Sequence, residues 1–404
     1  MSKIQKIFVD YPNIINTSNG TKCIRDLIFF FDQNNIEIIK IHRKDSYINK
    51  LKNYFFYLAN YYGEFSNKYS LNQGDWLIAC DTTPINLLNF ARSKKVNILW
   101  WQLAPYNFLG NKQLPKAGEY NLPFSSYTDP KANFYFYYQP RLDNEWIIEL
   151  KNSKVRKKRK FKKICFYTGK GRLTKLPKNI RELFLDYESV FITRTNPKSR
   201  KEYFHILSNS DGLISFDEMT QTNLEAASLG LPVFIANPIF PKKCLSNFTI
   251  NKLQKRITHS PYKFVEMIKS KEFPSTPFTE KYLEFHNKQT FKYFAEILDK
   301  NQTLKKLKKK DVEYMKEYSK FLLSKKAIYP FINSGQSPSS LLINLYVKNL
   351  IYRRKYQCII LLSKILDKIG FYLYKLGLIR IIEVLILKLL RISKKINNYF
   401  QYKN

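Results

Sequence analysis

The chain has 404 residues, enough for two or three domains with cores of their own at roughly 100–200 residues each. Hydrophobic residues make up 44%, which excludes disorder over most of the length, and five widely spaced cysteines with no Cys-x-x-Cys pair exclude a zinc ribbon or dithiol redox centre. Lys and Arg number 69 against 32 Asp and Glu, a net charge of +37, which calls for an anionic partner such as nucleic acid, acidic lipid or a phosphorylated substrate.

The opening MSKIQKIFVDYPN has two lysines and an apolar run that ends at Asp10. That run is too short for a signal peptide and reads as a first buried strand, IFVDYP (7–12). An amphipathic helix over TKCIRDLIFFFDQNN (21–35) follows, then a strand, EIIKIHR (37–43). DWLIACD (75–81) is an apolar run ending in a turn, TTPINLLNFARSK (82–94) a Pro-initiated helix, and VNILWWQL (96–103) the next strand. Strands separated by helices of ten to fifteen residues predict a parallel, doubly wound sheet over residues 1–150.

KNSKVRKKRKFKK (151–163) carries nine basic and no acidic residues and reads as a solvated linker. The alternation restarts with ICFYTGKG (164–171), ESVFITR (188–194), DGLISF (211–216) and PVFIAN (232–237), with a helix over 199–210. Residues 164–330 are therefore expected to form a second Rossmann-like α/β domain, mainly helical from 251. From Ser337 to 404 the pattern is long helices without strand signal. No stretch reaches the ~18 uncharged apolar residues of a spanning helix, so a cytoplasmic location is expected. Cys23, Cys80, Cys165, Cys244 and Cys358 read as buried free thiols of a reducing compartment.

ISFDEMTQTNLEAASLGLPVFIAN (214–237) sets acids in a cationic chain at the mouth of a buried strand. If DGLISF is a parallel strand, Asp217 stands at the carboxyl edge where ligands of open α/β sheets bind. Thr220 and Thr222 suit the start of a helix that runs to Leu229 and stops at Gly230. Such an N-terminus favours an anion, and Asp217, Glu218 and Glu225 beside it suit a ligand that also carries hydroxyls. A nucleotide sugar is both phosphate and polyol.

Asp217, Glu225 and the following Ala-Ala-x-x-Gly-x-Pro-Val resemble the signature of retaining glycosyltransferases of the GT-B fold, family 4 and its relatives. In that signature two Glu are separated by seven residues, whereas here the first acid is Asp, about one carbon shorter. SFDEMTQTNLEAASLGLPV is similar, more closely, to lipopolysaccharide-core transferases within that fold. The resemblance implies two Rossmann-like domains (GT-B), Asp217 or Glu218 as the working acid at the donor sugar, Thr220 and its neighbours near the diphosphate, and Glu225 on the ribose. It also implies a retaining reaction; catalysis is expected to rest on stabilising the departing diphosphate with Lys170, Arg194 and helix amides, without a metal or other cofactor.

YTGKGRL (167–173) directly follows a strand without P-loop spacing. Gly169 and Gly171 permit close approach of a phosphate, and Lys170 or Arg172 neutralises it; a plain strand-to-helix turn is the alternative. Arg194 closes another strand and is a second candidate phosphate ligand, with Arg200 more distant; either also reads as a surface cation. In the first half, Gly20 is the sole glycine of the loop NTSNGT (16–21), and Asp81 is an acceptor-side candidate or, preferably, an N-cap for the helix after Pro84. WWQLAPYN (100–107) reads as aromatic core rather than acceptor groove, and His205 as structural.

Along GLIRIIEVLILKLLRISKK (377–395) the charged residues fall within an arc of roughly 140°, and YRRKYQCIILLSKILDK (352–368) behaves similarly. Residues 337–404 therefore read as an amphipathic, basic tail that lies on an anionic membrane surface or packs on the catalytic body. The expected partners are a nucleotide-sugar donor, a glycan or glycolipid acceptor and that membrane. A basic nucleic-acid-binding protein is the main rival, and an inactive transferase-fold scaffold the third reading.

Overall fold

The computed structural model describes residues 6–11, 19–44, 64–65, 69–81, 83–106, 114–125, 127–132, 161–169, 171–193, 196–197, 199–241, 256–270, 288, 306–325, 342–343, 346–347 and 356–375. The basic linker, apart from residues 161–163, and the tail beyond Lys375 lie outside them.

The first domain is built on β1 (Ile7–Tyr11), α1 (Asn19–Gln33), β2 (Ile38–Lys44), β3 (Glu64–Phe65), β4 (Trp76–Ala79), α2 (Ile85–Ser93), β5 (Asn97–Gln102) and β6 (Tyr120–Pro123). Its sheet order is β3-β2-β1-β4-β5-β6, with every pairing parallel except the antiparallel edge of β2 and β3. The strand period of two sorts the apolar residues onto two faces. Val9, Ile78, Leu99 and Trp101 pack under α1, which contributes Cys23, Ile24, Leu27, Ile28 and Phe31 at helical spacing. Phe8, Leu77, Ile98 and Trp100 meet Leu87, Leu88 and Ala91 of α2 on the other face. Burial on both faces explains why these strands are continuous apolar runs, and why Trp100 and Trp101 are core. α1 stops at an Asn pair, with Asn35 left-handed at φ 55°.

The second domain contains β7 (Lys163–Tyr167), α3 (Lys178–Glu182), β8 (Glu188–Ile192), α4 (Arg200–Ser208), β9 (Gly212–Ser215), α5 (Gln221–Ser228), β10 (Val233–Ile235), β11 (Ile257–Thr258) and α6 (Pro261–Ser270). Its order is β11-β10-β9-β7-β8, all parallel, in register Ile164↔Gly212 and Val233↔Leu213. Cys165, Leu213, Val233 and Ile235 face α4 and α5. Ile164, Phe166, Ile214, Phe216 and Phe234 face α6 and the segment from Leu173 to Phe184. Two Rossmann-like α/β domains are thus the architecture. The short strands β3, β6 and β11 go beyond the sequence expectation, and β11 lies in a stretch expected to be helical.

Two further helices, α7 (Lys309–Lys325) and α8 (Tyr356–Lys375), complete the described fold. α7 joins the domains: Met315 lies in the core of the first, while Tyr318 and Leu322 enter that of the second. Just before it, Lys306 bridges Tyr120 in antiparallel fashion and Leu307 exchanges backbone hydrogen bonds with Gly118 and Glu119. Lys306, Leu307 and Met315, expected in the second domain by chain order, therefore pack on the first, while Tyr314 between them leans on the second. The Tyr318 hydroxyl donates to the Tyr127 carbonyl at 3.1 Å, and the rings of Tyr127 and Phe240 meet edge-on at 4.8 Å.

The tail segments that are described pack on the second domain. Leu342, Ile343, Tyr346, Val347 and Ile359 enter the cluster beneath α6, and the Tyr346 hydroxyl donates to the Thr174 carbonyl at 2.6 Å. Fully burying each such side chain stabilises by about 1.5–3 kcal/mol relative to exposure. No described helix is long and apolar enough to cross a membrane. Cys23, Cys80 and Cys165 are buried as expected, whereas Cys358 is exposed on α8 because its helical position faces away from the body; Cys244 lies outside the described residues.

Candidate functional site

In an open α/β sheet the ligand crevice lies at the carboxyl edge where strand order reverses. In the second sheet that point is between β7 and β9, so the loops after Tyr167 and Ser215 face each other. Gly169 is left-handed at φ 48°, and a Cβ there would stand 2.5 Å from Oδ2 of Asp217. A Cβ on Gly171 would overlap the Phe216 carbonyl. Glycine at both positions is what lets the loop lie against the exit of β9. Gly171 N–H turns back to the Thr168 carbonyl at 2.6 Å, closing the loop.

The acidic pair opposite is buried and splits in two directions. The backbone of the turn is pinned by Ser215 Oγ and Asn223 Nδ2, each donating to the Asp217 carbonyl at 2.9 Å. The Asp217 carboxylate lies against Gly169. Glu218 points the other way: its Oε2 accepts from the amides of Ile239 at 2.7 Å and Phe240 at 3.0 Å, and its Oε1 lies 3.1 Å from His259 Nε2. Glu218 is thereby engaged in holding the crossing from β10 to the residues after it.

Thr220 is extended at φ −135° and caps α5, its hydroxyl accepting from the Thr222 amide at 3.4 Å, as the sequence predicts. Gly230, at φ 96°, closes that helix. Thr222 is buried against the Tyr203 phenol. The buried Glu225 carboxylate is shared between Arg200 at 2.8 Å and the Tyr203 hydroxyl at 2.6 Å. Arg200 opens α4 and stacks over the rings of Tyr203 and Phe204 at 4.7 and 4.4 Å. Burial, and next the Glu225 charge, push the Tyr203 phenol well above its ordinary range, so it remains a donor. Arg256, fully buried, donates to the Gly230 carbonyl at the far end of α5.

Arg172, expected on a phosphate, pairs with Asp367 of α8 at 2.9 Å. Burial pushes the Asp367 carboxyl up to about 7, with Arg172 opposing the rise. Lys170 and Arg194 lie outside the described residues. The second domain thus brings together Gly169, Gly171, Asp217, Thr220, Thr222 and Glu225 around one edge, with Arg172 drawn toward the tail helix.

The first sheet reverses order between β1 and β4, which places Asp10 and Asp81, both buried, at its own crevice. Asp81 is not the N-cap of α2: that place belongs to Pro84, and no side chain caps the helix, because its first turn begins at Ile85, beyond the reach of Asp81. Gly20 lies in the first turn of α1 rather than in the preceding loop, because the helix starts at Asn19. Next to this edge Tyr106 OH donates to Asn121 Oδ1 at 2.6 Å, Asn121 Nδ2 to Gln102 Oε1 at 3.2 Å, and Gln102 Nε2 to the Thr128 carbonyl at 3.0 Å.

Asp10, Tyr203, His259 and Asp367 are the groups that the motif reading passed over. Asp10 had a signal, an acid closing an apolar run in IFVDYP. His259, Tyr203 and Asp367, the partners of Glu218, Glu225 and Arg172, lie 41, 22 and 195 positions away in the chain and carried none. Among the described residues no group of three His, Cys, Asp or Glu side chains is set to hold a metal. Compared with known proteins, the chain matches no family model and no curated sequence.

Proposed function

We propose that the chain is a GT-B glycosyltransferase that moves a sugar from a nucleotide-sugar donor to a lipid-linked or lipopolysaccharide-core acceptor. The observation that carries the reading is the switch point of the second sheet, where the Gly169–Gly171 loop lies against Asp217 beside the capped N-terminus of α5. Two Rossmann-like domains touching through Tyr127 and Phe240 and joined by α7 supply the architecture such a reaction needs.

In this reading the donor diphosphate takes the amides of the glycine loop and of α5, with Lys170 and Arg194 as its cations, while Arg172 stays with Asp367. Asp217 accepts a hydrogen bond from a sugar hydroxyl, and Glu218 positions the turn that presents it. Glu225 shares its carboxylate between Arg200, Tyr203 and the ribose. The departing diphosphate carries the developing charge, so fixed amides and cations lower the barrier without prior reorganisation. Domain closure expels water from the donor. The acceptor approaches from the crevice of the first sheet, where Asp10 and Asp81 stand. Retention of anomeric configuration follows from the resemblance of 214–237 alone.

A thermal-shift panel of UDP-, GDP-, ADP- and CMP-sugars tests the reading. One nucleotide class is expected to raise the melting temperature, by about 2.7 kcal/mol of stabilisation at a hundredfold excess over its Kd, and Asp217→Asn is expected to weaken the response to the sugar but not to the free nucleotide. No response to any nucleotide, with salt-sensitive binding to oligonucleotides, replaces it by the nucleic-acid reading that the charge of +37 favours. The internal engagement of Glu218 and Glu225 favours an inactive scaffold of the same fold. Nucleotide binding without turnover on any acceptor extract would select it.

A further inference from the structure

Among the described residues nine large apolar side chains are exposed, and four of them share one helix: Leu361 (59%), Leu362 (41%), Ile365 (44%) and Ile369 (45%) of α8. At ~100° per residue these four and the exposed Cys358 fall within about 100° of arc. The exposed Lys364 and Lys368 border that stripe on one side. Ile359, Ser363 and Asp367 occupy the opposite arc and are buried on the second domain. The helix therefore has a docked face, an apolar face turned outward and a cationic margin. The other five, Phe29, Ile85, Leu185, Tyr262 and Phe321, come one each from five different elements, as is ordinary for a protein surface.

Charge decides what covers the outward face. A second copy of this chain brings +37. The chain's own segment 377–395 brings Arg380, Lys388, Arg391, Lys394 and Lys395 against the single Glu383. Both would set cations against Lys364 and Lys368. An anionic lipid surface complements the lysines and takes Leu and Ile side chains at once.

We propose that the outward face of α8 is a membrane-docking surface, with Leu361, Leu362, Ile365 and Ile369 entering the headgroup–acyl boundary of an anionic bilayer and Lys364 and Lys368 at its phosphates. The proposal stands independently of the transferase reading. Because Ile359 and Asp367 hold the other side of the helix, docking fixes the orientation of the second domain on the membrane rather than tethering it loosely.

The test uses the full chain carrying Cys244→Ser, with an environment-sensitive dye on Cys358. Vesicles of phosphatidylcholine with about one-third phosphatidylglycerol are expected to sediment the protein and shift the dye to the blue, and vesicles of phosphatidylcholine alone to do so far more weakly. Leu361→Glu with Ile365→Glu, and separately Lys364→Glu with Lys368→Glu, are each expected to lower the affinity about tenfold or more. Circular dichroism and the nucleotide thermal shift should be unchanged, since all four side chains are exposed. Equal binding by both variants overturns the proposal. So does a Cys358 that resists labelling without vesicles, which would mean that the chain covers its own stripe. A wild-type dimer that either variant dissolves would give the face to a second copy instead.

Discussion

Arg172 Nε lies 2.9 Å from Oδ2 of Asp367, so the residue that closes the glycine loop is held by the helix that ends the described chain. With Tyr346 OH on the Thr174 carbonyl, it makes two ties between the loop after β7 and the tail. Asp367 has an ordinary carboxyl value of 3.8 when unfolded and about 7 when folded, because burial outweighs Arg172. A raised folded value means stability that is full below about 3.8 and is lost as pH rises through about 7. Asp367→Asn removes this dependence and leaves the partly exposed Arg172 to water. The melting temperature of wild type relative to the variant is expected to fall between pH 5 and pH 8, by the equivalent of roughly 2–4 kcal/mol. A pH-independent difference would count against it.

Glu225 gives the second prediction. Its carboxylate is buried and serves both Arg200 and Tyr203. Glu225→Ala leaves a stacked guanidinium and a buried phenol without their acceptor, and is expected to cost about 3 kcal/mol in urea unfolding. Tyr203→Phe removes one hydrogen bond to a charged group and is expected to cost about 1.5–3 kcal/mol. The double variant should lose less than the sum, because the two share one interaction.

Glycine 171 is expected to be intolerant for a reason that glycine 118 lacks. An added Cβ at 171 meets the Phe216 backbone, which has no flexible end to move, whereas at 118 nothing lies within 4 Å and only the left-handed φ of 92° is strained. Gly118→Ala should cost about 1–3 kcal/mol and keep any nucleotide response. Gly171→Ala should cost more and abolish that response, as thermal shift with and without nucleotide will read.

The two neighbouring acids should separate. Glu218→Gln disturbs three contacts, with Ile239, Phe240 and His259, and is expected to lower stability by about 2–3 kcal/mol. Asp217→Asn is expected to alter stability by less than Glu218→Gln while lowering transfer about a hundredfold or more. Chemical denaturation beside a sugar-transfer assay measures both. A reversed order would make Glu218 the working acid.

The architecture was legible because each central strand is buried on both faces, so IFVDY, NILWWQ and ICFY stand out as apolar runs between amphipathic helices. The cap at Thr220 and the stop at Gly230 were readable for a local reason: both are decided within a few residues. β11 escapes the pattern because two residues give a period of two no room to show, and the cap position of α2 belongs to Pro84 rather than to Asp81. The ties from Glu218 to His259, Glu225 to Arg200 and Arg172 to Asp367 depend on how distant elements pack, which residue spacing does not encode. The acids could be located from the sequence, but not the company they keep.

The return of Lys306, Leu307 and Met315 to the first domain has a consequence for biosynthesis. The edge beyond β6 and the core around Met315 are completed by chain that leaves the ribosome only after the whole second sheet has been made. The amino-terminal half must therefore wait, with one border unfinished, while its partner is translated. A gene cut at the basic linker would yield a first fragment permanently lacking that border, and the shorter piece would be the one to aggregate.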